Sequence, residues 1–283
     1  MAFTLLETLS PAECDVLKAL RRRVGGFSRV VVAYSGGVDS ALVAAIAAEQ
    51  LGEQATAVTG VSPALAPRLR LEAATQARWM GIHQLEVSTA ELNDPAYARN
   101  PEDRCYACKR ELHHLLRSIA SSGDGAVVLD GVNYDDLGDH RPGIRAAKEH
   151  GVHSPLAELA IGKQVVRQLS RALGLPWWDK PAQPCLASRF PYGEPITGER
   201  LERVGTAEEW LFQQGWMDVR VRCQGQTARI ELPASQLNTA LLRWSQQEAR
   251  DELVKVFLDL GFTAVSIDLE GLVRGKLNRE RQG

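Results

Sequence analysis

The apolar positions of this chain alternate between short continuous runs and spaced patterns. Ser28–Tyr34 reads SRVVVAY, a β-branched run of the kind buried on both faces of a parallel sheet. Gln54–Val61, Ile82–Val87 and Ala126–Gly131 read as the next three strands, and Val152–Ser154 is expected to start a fifth. Between and after these runs, Asp39–Gln50, Pro67–Met80, Asp103–Ala120, Arg141–Gly151 and Gly162–Leu173 carry helical patterns. Upstream, Ser10 and Pro11 head a further amphipathic helix. Strands separated by helices predict right-handed crossovers and a mostly parallel, doubly wound α/β sheet covered on both faces.

After Leu175 the texture changes. The stretch PWWDKPAQPCLASRFPYGEPITG is rich in proline, cannot be a regular element, and reads as a long ordered loop. Beyond it the pattern predicts a helix over Gly198–Gln214 and a hairpin from Asp218–Cys223 and Ala228–Leu232. One long helix over Ser235–Leu260 and a strand at Ala264–Asp268 follow. The expected organisation is an α/β domain over residues 1–180 and a smaller α+β domain over 181–283.

Composition narrows the function. The chain has 283 residues, 45% apolar and 24% charged, with a formal net charge of −2, as in ordinary soluble domains. No run approaches the ~18 apolar residues of a membrane span, and the N-terminal segment lacks the pattern of a secretory signal. A cytoplasmic protein with no membrane partner is expected. The acidic balance argues against a nucleic-acid substrate, because the basic run Arg21–Arg23 is explained by a solvated helix end. The five cysteines, Cys14, Cys105, Cys108, Cys185 and Cys223, point to metal or thiol chemistry rather than a disulfide framework.

Tyr34–Ser40 (YSGGVDS) follows a strand and opens a helix. Two glycines allow a tight turn, and the helix start adds unpaired donors that favour a phosphate. Asp39 suits either a bridging Mg²⁺ or an N-cap. The turn has neither Walker A nor dinucleotide-fold spacing. Cys105 and Cys108 in RCYACK share one helix face and can converge on a metal. Cys185 lies in PCLASR beside Ser188 and Arg189, whose hydroxyl and cation suit a thiolate. Three cysteines leave one iron of a [4Fe–4S] cluster open to an exogenous sulfide; a zinc site completed by His113 or His140 is the other reading. Cys14 and Cys223 read as small buried hydrophobes. Trp177 and Trp178 suit either ring stacking or core packing. In V-R-V-R, Arg220 and Arg222 alternate with valines, so both guanidiniums project from one sheet face as a fork for a phosphate. Glu231 and Asp268 are placed to orient those arginines or to bind metal.

The string SGGVDS resembles the signature of the PP-loop ATP pyrophosphatases, which include NAD synthetase, GMP synthetase and thiouridine-forming tRNA enzymes. The resemblance implies that Ser35, Gly36, Gly37, Val38, Asp39 and Ser40 hold ATP phosphates with Mg²⁺, and that Gly60 lies near the adenine. The strings at 131–143, 184–197, 219–222, 228–231 and 268–271 are similar, over nearly the whole chain, to LarE-type sulfur transferases. That similarity implies adenylation of pyridinium-3,5-biscarboxylic acid mononucleotide. Its carboxylates then become thiocarboxylates, toward the nickel-pincer nucleotide of lactate racemase. It implies substrate contacts from Ser188, Arg189, Arg220, Arg222, Glu231 and Asp268. Its sulfur donor is either Cys185, consumed in the reaction, or a sulfide on a [4Fe–4S] cluster held by Cys105, Cys108 and Cys185. A homo-oligomer, hexameric in that family, is also implied. The competing expectations are a PP-loop enzyme thiolating tRNA and a nucleotide-binding metal sensor without turnover.

Overall fold

The computed structural model describes residues 3–122, 125–138, 142–273, 276 and 279. In chain order its elements are α1 (Pro11–Gly25), β1 (Val30–Ala33), α2 (Val38–Leu51), β2 (Ala55–Val61), α3 (Pro67–Met80) and β3 (His83–Ser88). Then come α4 (Pro95–Ala98), α5 (Arg104–Ser122), β4 (Val127–Leu129), α6 (Pro142–Glu149), α7 (Pro155–Glu158) and α8 (Lys163–Ala172). Last are α9 (Gly198–Gln213), β5 (Arg220–Gln224), β6 (Thr227–Glu231), α10 (Ala234–Ser245), α11 (Gln247–Asp259) and β7 (Ala264–Ile267). The chain divides into two compact units. One comprises Met1–Ser62, Arg68–Glu91 and Asp103–Gln183; the other comprises Pro63–Pro67, Leu92–Glu102 and Pro184–Gly283. Two segments from the first half of the sequence thus belong with its last hundred residues, which the division at 180 did not anticipate.

In the first unit four strands pair in the order β3-β2-β1-β4, all parallel. Strand periodicity sends alternate residues of β1 to opposite faces. Val30 and Val32 join a core with α1, α2, α3 and α8, while Val31 packs with Val58, Val128 and the α5 residues Leu116 and Ala120. That division matches right-handed crossovers: α2 and α3 carry the chain outward over one face, and α5 returns it over the other. Helix α2 is buried along most of its length, from Val38 to Ala48, and its alanines let neighbouring elements approach closely. The Ser10 side chain accepts from the Glu13 amide while Glu13 reaches back to the Ser10 amide, a reciprocal cap that starts α1.

Two expected elements differ. Val152–Ser154 contributes a single parallel bridge, Leu129 to His153, because Pro155 turns the chain straight into α7. The long helix over 235–260 is two helices broken at Gln246, whose ψ of 132° is extended. Ser245 Oγ donates to the Leu242 carbonyl at 2.8 Å, a local bond that competes with the helical ladder at the break.

The second unit is built on an antiparallel β5–β6 hairpin closed by Gly225 and Gln226, with β7 added parallel to β6. Gly225 takes a φ of +57°, as the tight two-residue turn requires. Leu201, Val204 and Leu211 of α9, Val221 and Ile230 of the sheet, and Phe257 of α11 are fully buried. The inserted segments are tied in by backbone bonds. Leu186 N donates to Ala64 O at 2.9 Å, Gly193 N to Asn100 O at 2.9 Å and Ile196 N to Ala98 O at 2.7 Å. Among the described residues no helix is long and apolar enough to cross a membrane.

The packing of the first unit also carries a pH signature. His113 on α5 is 2% exposed, and burial, then Lys109 and His150, bring its pKa from 6.5 down to about 3. The folded protein therefore holds it neutral while the unfolded chain takes up a proton, so its contribution is complete above pH 6.5 and is lost as pH falls toward 3. Between pH 7 and pH 5 this one group should cost about 2 kcal/mol. Urea unfolding at both pH values measures it, and His113→Leu should remove that part of the decline.

Candidate functional site

The order β3-β2-β1-β4 places a topological switch between β1 and β4, where open α/β sheets bind ligands beyond the carboxyl ends of their strands. The SGGVDS loop sits there. Gly36 adopts a φ of +70°, and a Cβ at that position would lie 3.1 Å from the Ala73 Cβ, so both backbone sign and space require glycine. Ser35 and Ser40 lock the turn: their hydroxyls are 3.2 Å apart, and Ser40 Oγ donates to the Gly37 carbonyl at 3.1 Å. The N-cap of α2 is Gly37, which has no side chain to satisfy the first amides, so those donors and the helix dipole are available to an anion. Val38 is buried and anchors the first turn.

Asp39 therefore does not cap α2. It lies one residue inside the first turn and pairs with Lys163 Nζ at 2.5 Å, while the Asn133 amide donates to it at 3.2 Å. Lys180 approaches the other side of the turn, donating to the Gly36 carbonyl at 3.4 Å and pairing with Glu72 at 2.5 Å. Gly131, at the end of β4, packs so tightly on α2 that a Cβ would stand 2.5 Å from the Ser40 nitrogen. Asn133 is itself fixed, its carbonyl oxygen accepting from the Asp135 amide at 3.0 Å and the Asp136 amide at 3.3 Å. Burial raises the Asp130 carboxyl beside them above its ordinary range. Lys163, Lys180, Gly131 and Asn133 are the neighbours of the loop that sequence reasoning missed. Only the G-V-N-Y-D-D string at 131–136 carried a signal for two of them. Gly60 lies on β2, where a Cβ would meet Leu112 Cδ1 at 3.0 Å, so packing against α5 already requires glycine there.

The cysteines separate into accessible and buried sets. Cys105 is exposed and Cys108 half-buried on the first turn of α5, and Cys185 is exposed at the head of the one-turn helix Leu186–Arg189. None of the five cysteines forms a disulfide. Three accessible thiols are a donor set suited to iron. Among the described residues, no group of three or more His, Cys, Asp or Glu side chains is arranged to hold a metal ion. His140 lies outside the described residues. Cys223 is buried on β5, and burial raises its thiol above the ordinary range. Cys14 is only half-buried, its thiol 3.8 Å from the Leu9 carbonyl, so it is not the core residue expected.

The second unit concentrates buried charge behind Cys185. Arg189 is 6% exposed and pairs with Glu208 through two bonds of 2.7 and 2.9 Å, while also donating to the Pro184 carbonyl and the Ser188 hydroxyl. Burial pushes its pKa down, but Glu208, then Cys185 and Glu231, outweigh that and hold it above the ordinary guanidinium range. Arg222 is bound to the fully buried Glu231 at 2.9 Å and to the Ser188 carbonyl at 2.5 Å. Arg189 and Arg222 thus fix the backbone that carries Cys185 rather than standing open as a fork. Arg220 is different. No ion pair or side-chain hydrogen bond is found for it among the described residues, and burial, with Arg189 and Arg222 nearby, brings it down to about 10. A cation held this way among other cations favours an incoming anion. Glu231 is the ion-pair partner of Arg222. Asp268 instead pairs with Arg229 at 3.3 Å and Lys276 at 2.8 Å, so it orients neither predicted arginine. Glu208, with no motif to mark it, was missed.

Substituting Gly131 tests the loop directly. Gly131→Ala should weaken binding of an ATP analogue at least tenfold, since its methyl group must displace the Ser40 backbone. Calorimetric titration reads this, with thermal melting to confirm the fold; unchanged affinity would show that this approach does not shape the site.

A model of the NAD synthase family matches residues 12–98, the span of α1 through α4 that contains the loop. Over 93% of this chain and 97% of its own length, an uncharacterized protein of Synechocystis is 54% identical. The pyridinium-3,5-bisthiocarboxylic acid mononucleotide synthase of Lactiplantibacillus plantarum is 34% identical over 96% of each chain. An uncharacterized protein of Methanocaldococcus jannaschii is 28% identical over 86% of this chain and 90% of its own. With a phosphate-type loop at the sheet's switch point and this likeness along almost the whole length, the chain belongs to the LarE family of ATP-dependent sulfurtransferases, within the PP-loop class.

Proposed function

We propose that this protein uses ATP to convert the carboxylates of pyridinium-3,5-biscarboxylic acid mononucleotide into thiocarboxylates, supplying the nickel-pincer nucleotide of lactate racemase. The observation that carries this reading is that one chain contains both an uncapped, glycine-shaped helix start and, in its second unit, an exposed cysteine whose turn is held by two buried arginines. In the first step a carboxylate oxygen attacks the α-phosphorus of ATP, the bond to the β-phosphate oxygen breaks, and pyrophosphate leaves an acyl adenylate. Ser35, Gly36, Gly37 and Ser40 hold the phosphates through backbone and hydroxyl donors, with Val38 as anchor and Gly60 toward the adenine. Asp39 would hold the Mg²⁺ that neutralises the phosphate charge; Lys163 pairs with its carboxylate.

Sulfur then attacks the acyl carbon and AMP departs with the oxygen, a displacement whose rate depends on holding nucleophile and acyl group in line. On the consumed-cysteine route the nucleophile is Cys185 Sγ. Loss of the Cys185 α-proton and cleavage of its Cβ–Sγ bond then release the thiocarboxylate and leave dehydroalanine. A [4Fe–4S] cluster on Cys105, Cys108 and Cys185 would instead supply an open iron for exogenous sulfide. Arg220 takes the substrate phosphate, with Arg189, Arg222 and Ser188 framing it and Glu231 and Asp268 setting the charge balance behind. We also propose a homo-oligomer, hexameric as in the family; the exposed Leu241, Leu242, Val254 and Leu258 of α10 and α11 support burial against another copy.

Anaerobic turnover with the pyridinium dicarboxylate should release AMP and pyrophosphate and form thiocarboxylate. Thiouridine formed in tRNA instead, or no pyrophosphate at all, would overturn the reading. Arg220→Ala should raise KM for the mononucleotide about tenfold or more, the ~1.5–3 kcal/mol of a charge-assisted phosphate contact, with kcat changed less. Intact mass after one turnover separates the sulfur sources: a chain lighter by one H₂S means Cys185 is consumed. More than one sulfur per chain, with iron lost in Cys108→Ala, means the cluster.

A further inference from the structure

A cavity of about 360 Å³ lies along the outer face of α8, lined by Lys163, Gln164, Arg167, Gln168, Arg171 and Trp178. Its three cations recur every fourth residue, so they stack on one helix face, where like charges repel. The outer two are each compensated, Lys163 by Asp39 and Arg171 by Glu7 at 2.8 Å. Arg171 also lies over the Trp178 ring at 5.0 Å, which closes that end. Arg167, between them, has no ion pair among the described residues. Its one hydrogen bond among them is a long 3.5 Å contact to the Lys180 carbonyl, and its fully buried Nε has no partner there. A buried guanidinium nitrogen without an acceptor is costly, and an arginine flanked by two cations lowers that cost by binding an anion. The cavity is linked to the phosphate loop at its Lys163 end and at its middle, through Arg167. Lys163 touches Asp39 within the first turn of α2, and Lys180, whose carbonyl meets Arg167, reaches Gly36 through its ammonium group.

We propose that this cavity is a receiving site for inorganic pyrophosphate, separate from the loop, into which the leaving group passes along Lys163 toward Arg167. The row from Lys163 to Arg171 spans roughly 12 Å at 1.5 Å per residue, long enough to draw a polyphosphate anion clear of the loop. Gln164 and Gln168 add neutral donors at its rim. Recapture of pyrophosphate by the acyl adenylate would reverse the first step, and a second basic site lowers its concentration at the loop.

The inference rests on the reading that pyrophosphate is a product, and the two fail differently. Wild-type protein that releases no pyrophosphate refutes that reading. The site itself is tested by titrating inorganic pyrophosphate, with Mg²⁺, into the full chain saturated with α,β-methylene ATP. One pyrophosphate per chain should still bind. Arg167→Ala and Arg167→Gln should weaken it at least tenfold and Arg167→Lys less, while affinity for the ATP analogue moves less than twofold. Melting temperatures confirm that each variant is folded. If the analogue abolishes pyrophosphate binding, the cavity is part of the ATP subsite and the proposal falls; it falls equally if the Arg167 variants bind pyrophosphate as the wild type does.

Discussion

The start of α2 is the feature to which its neighbours adjust, and nothing of its own caps it. Helix N-termini leave amides that need acceptors, and most helices supply one from a nearby side chain. Here Gly37 supplies none, and the strand before it delivers the turn to the switch point of the sheet. The helix behind is buried along almost its whole length, so its dipole and position are fixed by the core. Everything else at this site adjusts to that start. Gly36 and Gly131 remove side chains from it, the two serines lock its curvature, and Lys163 and Lys180 set the charge on either side.

The second unit solves a different electrostatic problem. Buried arginines are tolerated only when paired, and truncating one partner of such a pair is far more costly than the pair is stabilising. Arg189–Glu208 and Arg222–Glu231 meet that condition, and both arginines also bond the backbone of the 184–188 turn. Their value is positional: they hold an exposed cysteine on an otherwise irregular, proline-rich stretch. Arg220 stands outside this pairing, a partly buried cation with no ion-pair partner among the described residues.

Much of this was legible in the residues alone. The hydrophobic runs of β1, β2 and β4 were readable because their largely buried strands leave little polar interruption, whereas the edge strand β3 is mostly exposed; α3 was bounded correctly at Pro67 and Met80. The SGGVDS turn was readable because its strand, glycines and helix start are contiguous in sequence. What escaped was non-local. Lys163 and Lys180 reach the loop from more than a hundred residues downstream, and Glu208 meets Arg189 across a helix boundary. The fork drawn from Arg220 and Arg222 erred because strand alternation gives a side chain's face but not its partner, and Arg222 had already been taken by Glu231. The continuous helix over 235–260 failed where an apolar spacing ran unbroken across a polar Ser-Gln-Gln junction.

The interleaved make-up of the second unit bears on how the molecule can be cut. A fragment beginning at Pro184 would lack the strips 63–67 and 92–102. It would thereby lose the Ala64 and Ala98 carbonyls that receive Leu186 and Ile196, and the Asn100 amide that grips Pro191 at 2.6 Å. Recombination at that point would orphan the very stretch that presents Cys185. Gene fusions and shuffled chimaeras must therefore inherit both halves together, which binds the nucleotide loop and the thiol turn into one heritable piece.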